Sequence, residues 1–280
     1  GLDLVELMIK VAAGEELPLA QSDVTLSGWA LEARLYAEDP ERGFLPSTGR
    51  LVNYLTPEEE EGRVRVDTGV VEGAEISMFY DPMIAKLVTG GKTRIEAFDN
   101  MREALDRYYV RGLQHNLGFL SQLCRNEEIR AGDMSTNFIG DNYPDGLEAR
   151  HLAPQDPVLF AAVAAVIHMR QQDQEAAVSG RVTPVEWVRE QELVAFIGDK
   201  DRQELSVSFK MTEEGEHLAV DGREIHVQSG WMPGEVLFRG FVDEQTKVFQ
   251  LDAHDSGVVL SHDGARARVQ VVEKRLAGLV

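Results

Sequence analysis

Residues 157 to 168 read PVLFAAVAAVIH, and from Val158 to Ile167 no polar side chain interrupts the run. A helix that is apolar on every side must be surrounded by protein, because a membrane span needs about 20 such residues. The chain that follows supplies the wrapping. LSVSFKM, HLAV, EIHVQ, EVLFRGF, KVFQLD, VVLS and ARVQVV are short strand candidates, and the DG pairs at 221–222 and 263–264 suit tight hairpins. The simplest arrangement is a helix over about residues 157–173 enclosed by a curled antiparallel sheet.

Upstream, YPDGLEARHLAPQDP (143–157) is rich in turn formers and is the candidate linker. The segment before it mixes strands and helices. DLVELMIKVAA (3–13) has an Asp three residues before a Glu and Gly14 behind it, which predicts a short, docked amphipathic helix. From Thr25 to Tyr36 the period is two, with Trp29, Leu31, Ala33 and Leu35 on one face and Ala30, Glu32, Arg34 and Tyr36 on the other. Helical spacing returns over 92–126, through Ile95, Phe98, Met101, Leu105 and Tyr108 and, after Gly112, through Leu117, Leu120 and Leu123.

The formal charge is -20, from 48 acidic and 28 basic residues. Such a field repels phosphate backbones and anionic membranes, and so argues against nucleic acid and membranes as partners. EEEEGR (58–63) reads as a solvated turn. Cys124, the single cysteine, leaves no internal disulfide and reads as core. The histidines show no metal spacing; His254 and His262, near Asp252 and Asp255, read as strand-end and turn polarity. The chain runs from a glycine straight into a helix without a secretory leader pattern, and is expected to be a piece of something longer.

Three groups of segments carry the candidate chemistry: GWALEARLYAED (28–39) with FLPSTGRL (44–51), YDPMIAKL (80–87), and VRGLQHN (110–116) with STNFIGD (135–141). By residue type alone, Glu32 and Arg34 are readable as a structural ion pair and Asp81 as a turn acid before Pro82. These segments resemble the C-terminal part of biotin carboxylases, an ATP-grasp family whose strand typically reads GHAxExRxxAEDP, followed by FLPSxGxL and YYDxMIxKL. The resemblance implies that Arg34 is the catalytic and biotin-binding cation, gripping the ureido oxygen, with Glu32 and Asp81 orienting it. It places Phe138 near adenine, with an ordinary core role equally open.

In that family bicarbonate attacks ATP, carboxyphosphate breaks down to carbon dioxide and phosphate, and deprotonated biotin carries an enolate-like oxygen. A fixed guanidinium aimed at that oxygen contributes on the order of 3 kcal/mol, and its planar fork sets direction as a lysine does not. Trp29 departs from the family pattern, which has histidine there; by alternation it lies on the face opposite Arg34.

RGLQHNLGFL, GDMSTNFI and NYPDGL resemble the α subunits of propionyl-CoA carboxylases, and the rest of the chain resembles their linking BT domain. The implied fold is α+β. Residues 1–143 would be the mixed α/β C-terminal part of a biotin carboxylase, and 144–280 an antiparallel β-barrel wrapped around a long central helix. The implied function is a ligase subunit, with biotin, ATP and magnesium as cofactors of the full-length enzyme and no metal ligands in this chain. Its implied partners are the carboxyltransferase β subunit, docked through the BT domain, and the biotin carrier domain. The compartment would be a bacterial cytoplasm in preference to a mitochondrial matrix.

The chain shows no glycine-rich phosphate loop, no acidic magnesium pair and no Met-Lys-Met biotin acceptor. The family places the first two before Gly1 and the third after Val280, so the fragment alone is expected to be inactive. The alternatives are a non-catalytic scaffold and docking fragment, or a sister carboxylase acting on methylcrotonyl-CoA or acetyl-CoA.

Overall fold

The computed structural model describes residues 2–77, 79, 81–177, 190–199 and 202–279, so Tyr80 of the YDPMIAKL motif lies outside the described residues. Helix α1 (Leu4–Ala12) begins as expected, with the Asp3 carboxylate accepting from Glu6 N at 2.9 Å. The expectation that it is docked is corrected. Leu4, Val5, Met8, Ile9 and Val11 are all more than half exposed, because no described part of the chain covers the apolar face that the pattern builds.

Strand β1 (Trp29–Tyr36) keeps its alternation: Ala33 and Leu35 are buried, whereas Glu32 and Arg34 on the other face are exposed. With β2 (Val64–Thr68) and β3 (Met83–Gly91) it forms an antiparallel sheet in the order β1-β3-β2. Helix α2 (Arg94–Arg107), whose Thr93 cap accepts from Glu96 N, lays Phe98, Met101 and Leu105 against Leu35, Ile84 and Leu87 in one core. Burial of such side chains contributes roughly 1.5–3 kcal/mol each.

Strand β4 (Tyr109–Arg111) follows and pairs with Asn53–Leu55. Gly112 then takes φ 112°, and a Cβ there would come within 2.1 Å of the Arg50 carbonyl oxygen. Only glycine lets the chain pass so close before α3 (Leu117–Arg125).

The apolar run forms α4 (Pro157–Ala177), in which every side chain from Phe160 to Ile167 is at most 3% exposed. It is enclosed by a closed barrel of eight strands, each antiparallel to the next: β5 (Glu190–Ile197), β6 (Gln203–Thr212), β7 (Gly215–Val220), β8 (Arg223–Ser229), β9 (Leu237–Val242), β10 (Gln245–His254), β11 (Gly257–His262) and β12 (Ala265–Glu273). Closure removes the exposed edges that an open sheet would present. The seven expected strands are all present, and β5 is the addition.

The turn-rich stretch after Tyr143 is packed rather than slack. Leu147 is buried and its N–H donates to the Pro40 carbonyl at 2.8 Å, while Gly146 sits against the same carbonyl. Proline and glycine content predicted an irregular backbone there, and the packing adds order with only one short helical turn, Ala149–Leu152.

The barrel and the first unit meet through a small apolar cluster, Tyr109 against Leu237 and Val248, flanked by paired ions. Arg111 grips Asp252 with Nε to Oδ1 at 2.6 Å and Nη2 to Oδ2 at 2.7 Å, and Arg102 grips Asp263 with contacts of 2.9 and 2.8 Å. Asp106 accepts from Asp263 N at 2.6 Å, and its other oxygen lies 2.9 Å from His262 Nδ1, which is also 2.8 Å from the Val248 carbonyl. Burial pushes the Asp106 carboxyl above its ordinary pKa, and the His262 contact opposes that shift. His262, read from sequence as turn polarity, is therefore also a junction residue.

Candidate active site on the first sheet

Alternation along β1 directs Arg34 away from the core. Its Nε donates to Glu32 Oε1 at 2.9 Å, the two residues lying on the same face one pleat apart. The guanidinium is about half exposed, with 56% of its side chain accessible. Glu32 first, and Tyr36 second, push its pKa above the ordinary arginine value, so its charge is permanent. Only Nε is committed to a carboxylate, and the Tyr36 hydroxyl is the second group that bears on the fork. Across the sheet Arg34 stands opposite Lys86, and Lys86 stands opposite Asp67 on β2, so the exposed face carries a charged row.

The backbone at this point is irregular. Leu35 faces Ala85 but Tyr36 faces Met83, so the register skips Ile84. Asn116 takes up the displaced backbone: its Oδ1 accepts from Tyr36 N at 2.9 Å and its Nδ2 donates to the Arg34 carbonyl at 3.1 Å. The motif segment 110–116 thus reaches the Arg34 strand through one residue, a link that spacing alone does not reveal.

Asp81 and Phe138 lie elsewhere in the arrangement. Asp81 Oδ1 accepts from Met83 N at 2.9 Å, shaping the entry to β3, and no described contact joins it to Arg34. Its charge adds to burial in raising the Glu38 carboxyl. Phe138 is buried in the same core as Leu35 and Met101. Trp29 is half-exposed at the start of β1, with the Arg94 guanidinium 5.7 Å from its ring centroid. Cys124 is buried, and burial pushes its thiol up to about 12, as suits a core residue. Among the described residues no group of three His, Cys, Asp or Glu is arranged to hold a metal ion, and no helix is long and apolar enough to cross a membrane.

His115, next to Asn116, is held neutral. Leu117 N donates to its Nδ1 at 3.4 Å, its Nε2 donates to the Val110 carbonyl at 3.0 Å, and burial, with Arg111 second, lowers its pKa to about 4. An unfolded histidine titrates near 6.5, so the folded state binds fewer protons between those values and loses stability as pH falls through them. The expected loss from pH 6.5 to 4 is about 3 kcal/mol from this group. Denaturant titrations across that range should give a steeper decline for the natural protein than for His115→Gln, and identical declines would remove His115 from the account.

Two family models match the chain. The biotin carboxylase C-terminal domain matches residues 32–141, and the propionyl-coenzyme A carboxylase BT domain matches residues 160–280. Over its whole length the chain is 42% identical to the propionyl-CoA carboxylase alpha chain of Ruegeria pomeroyi, covering 43% of that protein. It is 38% identical to the mitochondrial propionyl-CoA carboxylase alpha chain of Rattus norvegicus, again over its whole length and covering 38% of that protein. Over 61% of its length it is 40% identical to the mitochondrial methylcrotonoyl-CoA carboxylase subunit alpha of Mus musculus, covering 24% of it. The chain therefore spans less than half the length of these relatives. Residues 32–141 belong to the biotin carboxylase C-terminal domain family and 160–280 to the propionyl-CoA carboxylase BT domain family, and the chain that joins them belongs with the propionyl-CoA carboxylase alpha chains.

Proposed function

We propose that the chain is the C-terminal carboxylase part (residues 1–143) and the linking part (144–280) of the biotin-carboxylating subunit of a propionyl-CoA carboxylase. The single observation that carries this reading is Arg34. It is a permanently charged guanidinium, half exposed on a strand, with Nε tied to Glu32 and the rest of its fork uncommitted to any described carboxylate. That is what a carbonyl-type oxygen gaining negative charge requires.

Biotin, when bound, supplies a nitrogen whose deprotonation moves charge onto the ureido oxygen. Arg34 faces that oxygen and stabilises the charge, and Glu32 fixes the plane of the fork. Asp81 acts at one remove, through the start of β3. In the proposed holoenzyme ATP and magnesium are held by the rest of the subunit, the barrel docks the carboxyltransferase β subunit, and the carrier domain brings biotin to Arg34. The relatives include bacterial and mitochondrial proteins; this reading takes the bacterial cytoplasm.

The test is to assemble the full-length subunit with its carboxyltransferase partner and to compare acyl substrates. Propionyl-CoA should be carboxylated with a higher kcat/KM than 3-methylcrotonyl-CoA or acetyl-CoA. A reversed order would move the chain to a sister carboxylase.

A further inference from the structure

The geometry points to Asn116 as the residue that positions Arg34, a role that rests on the reading of Arg34 given above. Asn116 occupies the N-cap of α3, where an asparagine ordinarily accepts a hydrogen bond from the first turn of its own helix. It makes no such bond. Asn126, at the N-cap of the next helix, does so in the ordinary way, accepting from Ile129 N at 3.1 Å.

The Asn116 amide instead reaches a strand 80 residues away, accepting from Tyr36 N and donating to the Arg34 carbonyl. Its own N–H also donates to the Tyr36 carbonyl at 3.2 Å. A side-chain amide bonded to O of one residue and N of the residue two further on copies the way one residue of a parallel neighbour strand would bond β1. It does so where the β1-β3 register slips. Asn116 is 6% exposed, so both halves of its amide are committed in a buried setting where an unmade bond is costly. The backbone that carries Arg34 is thereby fixed from one side by β3 and from the other by Asn116. The Arg34 guanidinium is held by its own strand neighbours, Glu32 on Nε and Tyr36 beside it, so the direction of the fork depends on how firmly the β1 backbone is placed.

The support for Asn116 extends into the barrel. It lies five residues after Arg111, whose fork on Asp252 anchors the segment, and the neutral His115 beside it bonds Val110 and Leu117 within the same turn. Asn116 does not touch the ureido oxygen in this account; it is a positioning residue.

The experiment measures ATP-dependent carboxylation of free biotin by the full-length subunit carrying Asn116→Ala, Asn116→Asp, Arg34→Ala, and each Asn116 change combined with Arg34→Ala. Asn116→Ala should lower kcat by about tenfold to a hundredfold, since small misplacements of a catalytic group have effects of that size, while KM for ATP stays within about twofold. Asn116→Asp keeps the acceptor for Tyr36 N but sets an oxygen against the Arg34 carbonyl, and should be equally impaired at an unchanged oligomeric state.

In the Arg34→Ala background neither change should lower the residual rate further, because Asn116 acts through Arg34. A merely structural role would cost the same factor in both backgrounds, and that result overturns the inference. So does a single variant within about twofold of the natural rate. Should Asn116→Ala fail to fold, the Asn116→Asp cycle decides. Near-normal turnover by Arg34→Ala itself would remove the reading of Arg34 and the role of Asn116 together, whereas a slow Arg34→Ala with a normal Asn116→Ala removes the present inference alone.

Discussion

Arg34→Ala in the full-length subunit should lower carboxylation of free biotin by about 100- to 1000-fold, the range seen when one preorganised donor to a developing oxyanion is removed. The change deletes no core contact, because Arg34 is exposed on the far side of β1 from Ala33 and Leu35. Its Nε contact with Glu32 is a half-exposed pair of a kind that contributes little to stability. Melting temperature should therefore stay close to that of the natural protein while the rate collapses. Arg34→Lys should recover little. A lysine keeps the charge but loses the planar fork, and with it the geometry in which Nε holds Glu32 while the outer nitrogens face an acceptor. A rate within about tenfold of the natural one for Arg34→Ala would reduce the Glu32–Arg34 pair to a structural feature.

The largest effect on stability should come from the mouth of the barrel. Arg170 lies near the end of the buried run of α4; its Nε donates to Glu216 Oε1 at 2.9 Å, its Nη1 to the Trp231 carbonyl at 2.7 Å and its Nη2 to the Ser229 carbonyl at 2.8 Å. Nη2 also contacts Glu216, whose side chain is 5% exposed. Arg170→Ala leaves that carboxylate buried without a counter-ion and two carbonyls without a donor, which costs about 3–5 kcal/mol. Replacing both partners by apolar residues, Arg170→Met with Glu216→Leu, should recover most of the loss, because the desolvation cost disappears together with the attraction. Urea unfolding followed by circular dichroism reads both. A single variant that loses less than about 1 kcal/mol would place the pair among weak surface bridges.

What was legible in the sequence follows from how local each signal is. The buried helix could be read because ten consecutive residues, Val158 to Ile167, offer no polar face and a membrane span needs about twice that number. The hairpins at Asp221-Gly222 and Asp263-Gly264 take left-handed backbone at both positions, as that pair allows. A third turn, Asp243-Glu244, does the same with φ of 49° and 64° and has no glycine to announce it. Strand β5 escaped because its inward Leu193, Ala195 and Ile197 are interleaved with apolar Val194 and Phe196, and it opens on Glu190, Gln191 and Glu192. Neither period is visible in such a mixture.

The candidate site divides along the same line. Glu32 and Arg34 are two residues apart on one strand face, and their contact can be expected from alternation. Asn116 and the Arg111–Asp252 fork connect residues 80 and 141 positions apart, and nothing in either local stretch marks the partner. The packed course of residues 143–152 was hidden for a related reason. Turn formers report irregular backbone and are silent about what it rests on.

The most direct test of the claim that Arg34 faces the ureido oxygen is the infrared band of biotin carrying a carbon-13 label in its ureido carbonyl, bound to the full-length subunit. The account predicts a shift to lower frequency on binding, as a carbonyl shows when it accepts charge-assisted hydrogen bonds, and loss of that shift in Arg34→Ala at equal occupancy. A band that moves equally in both proteins, or in neither, would contradict it.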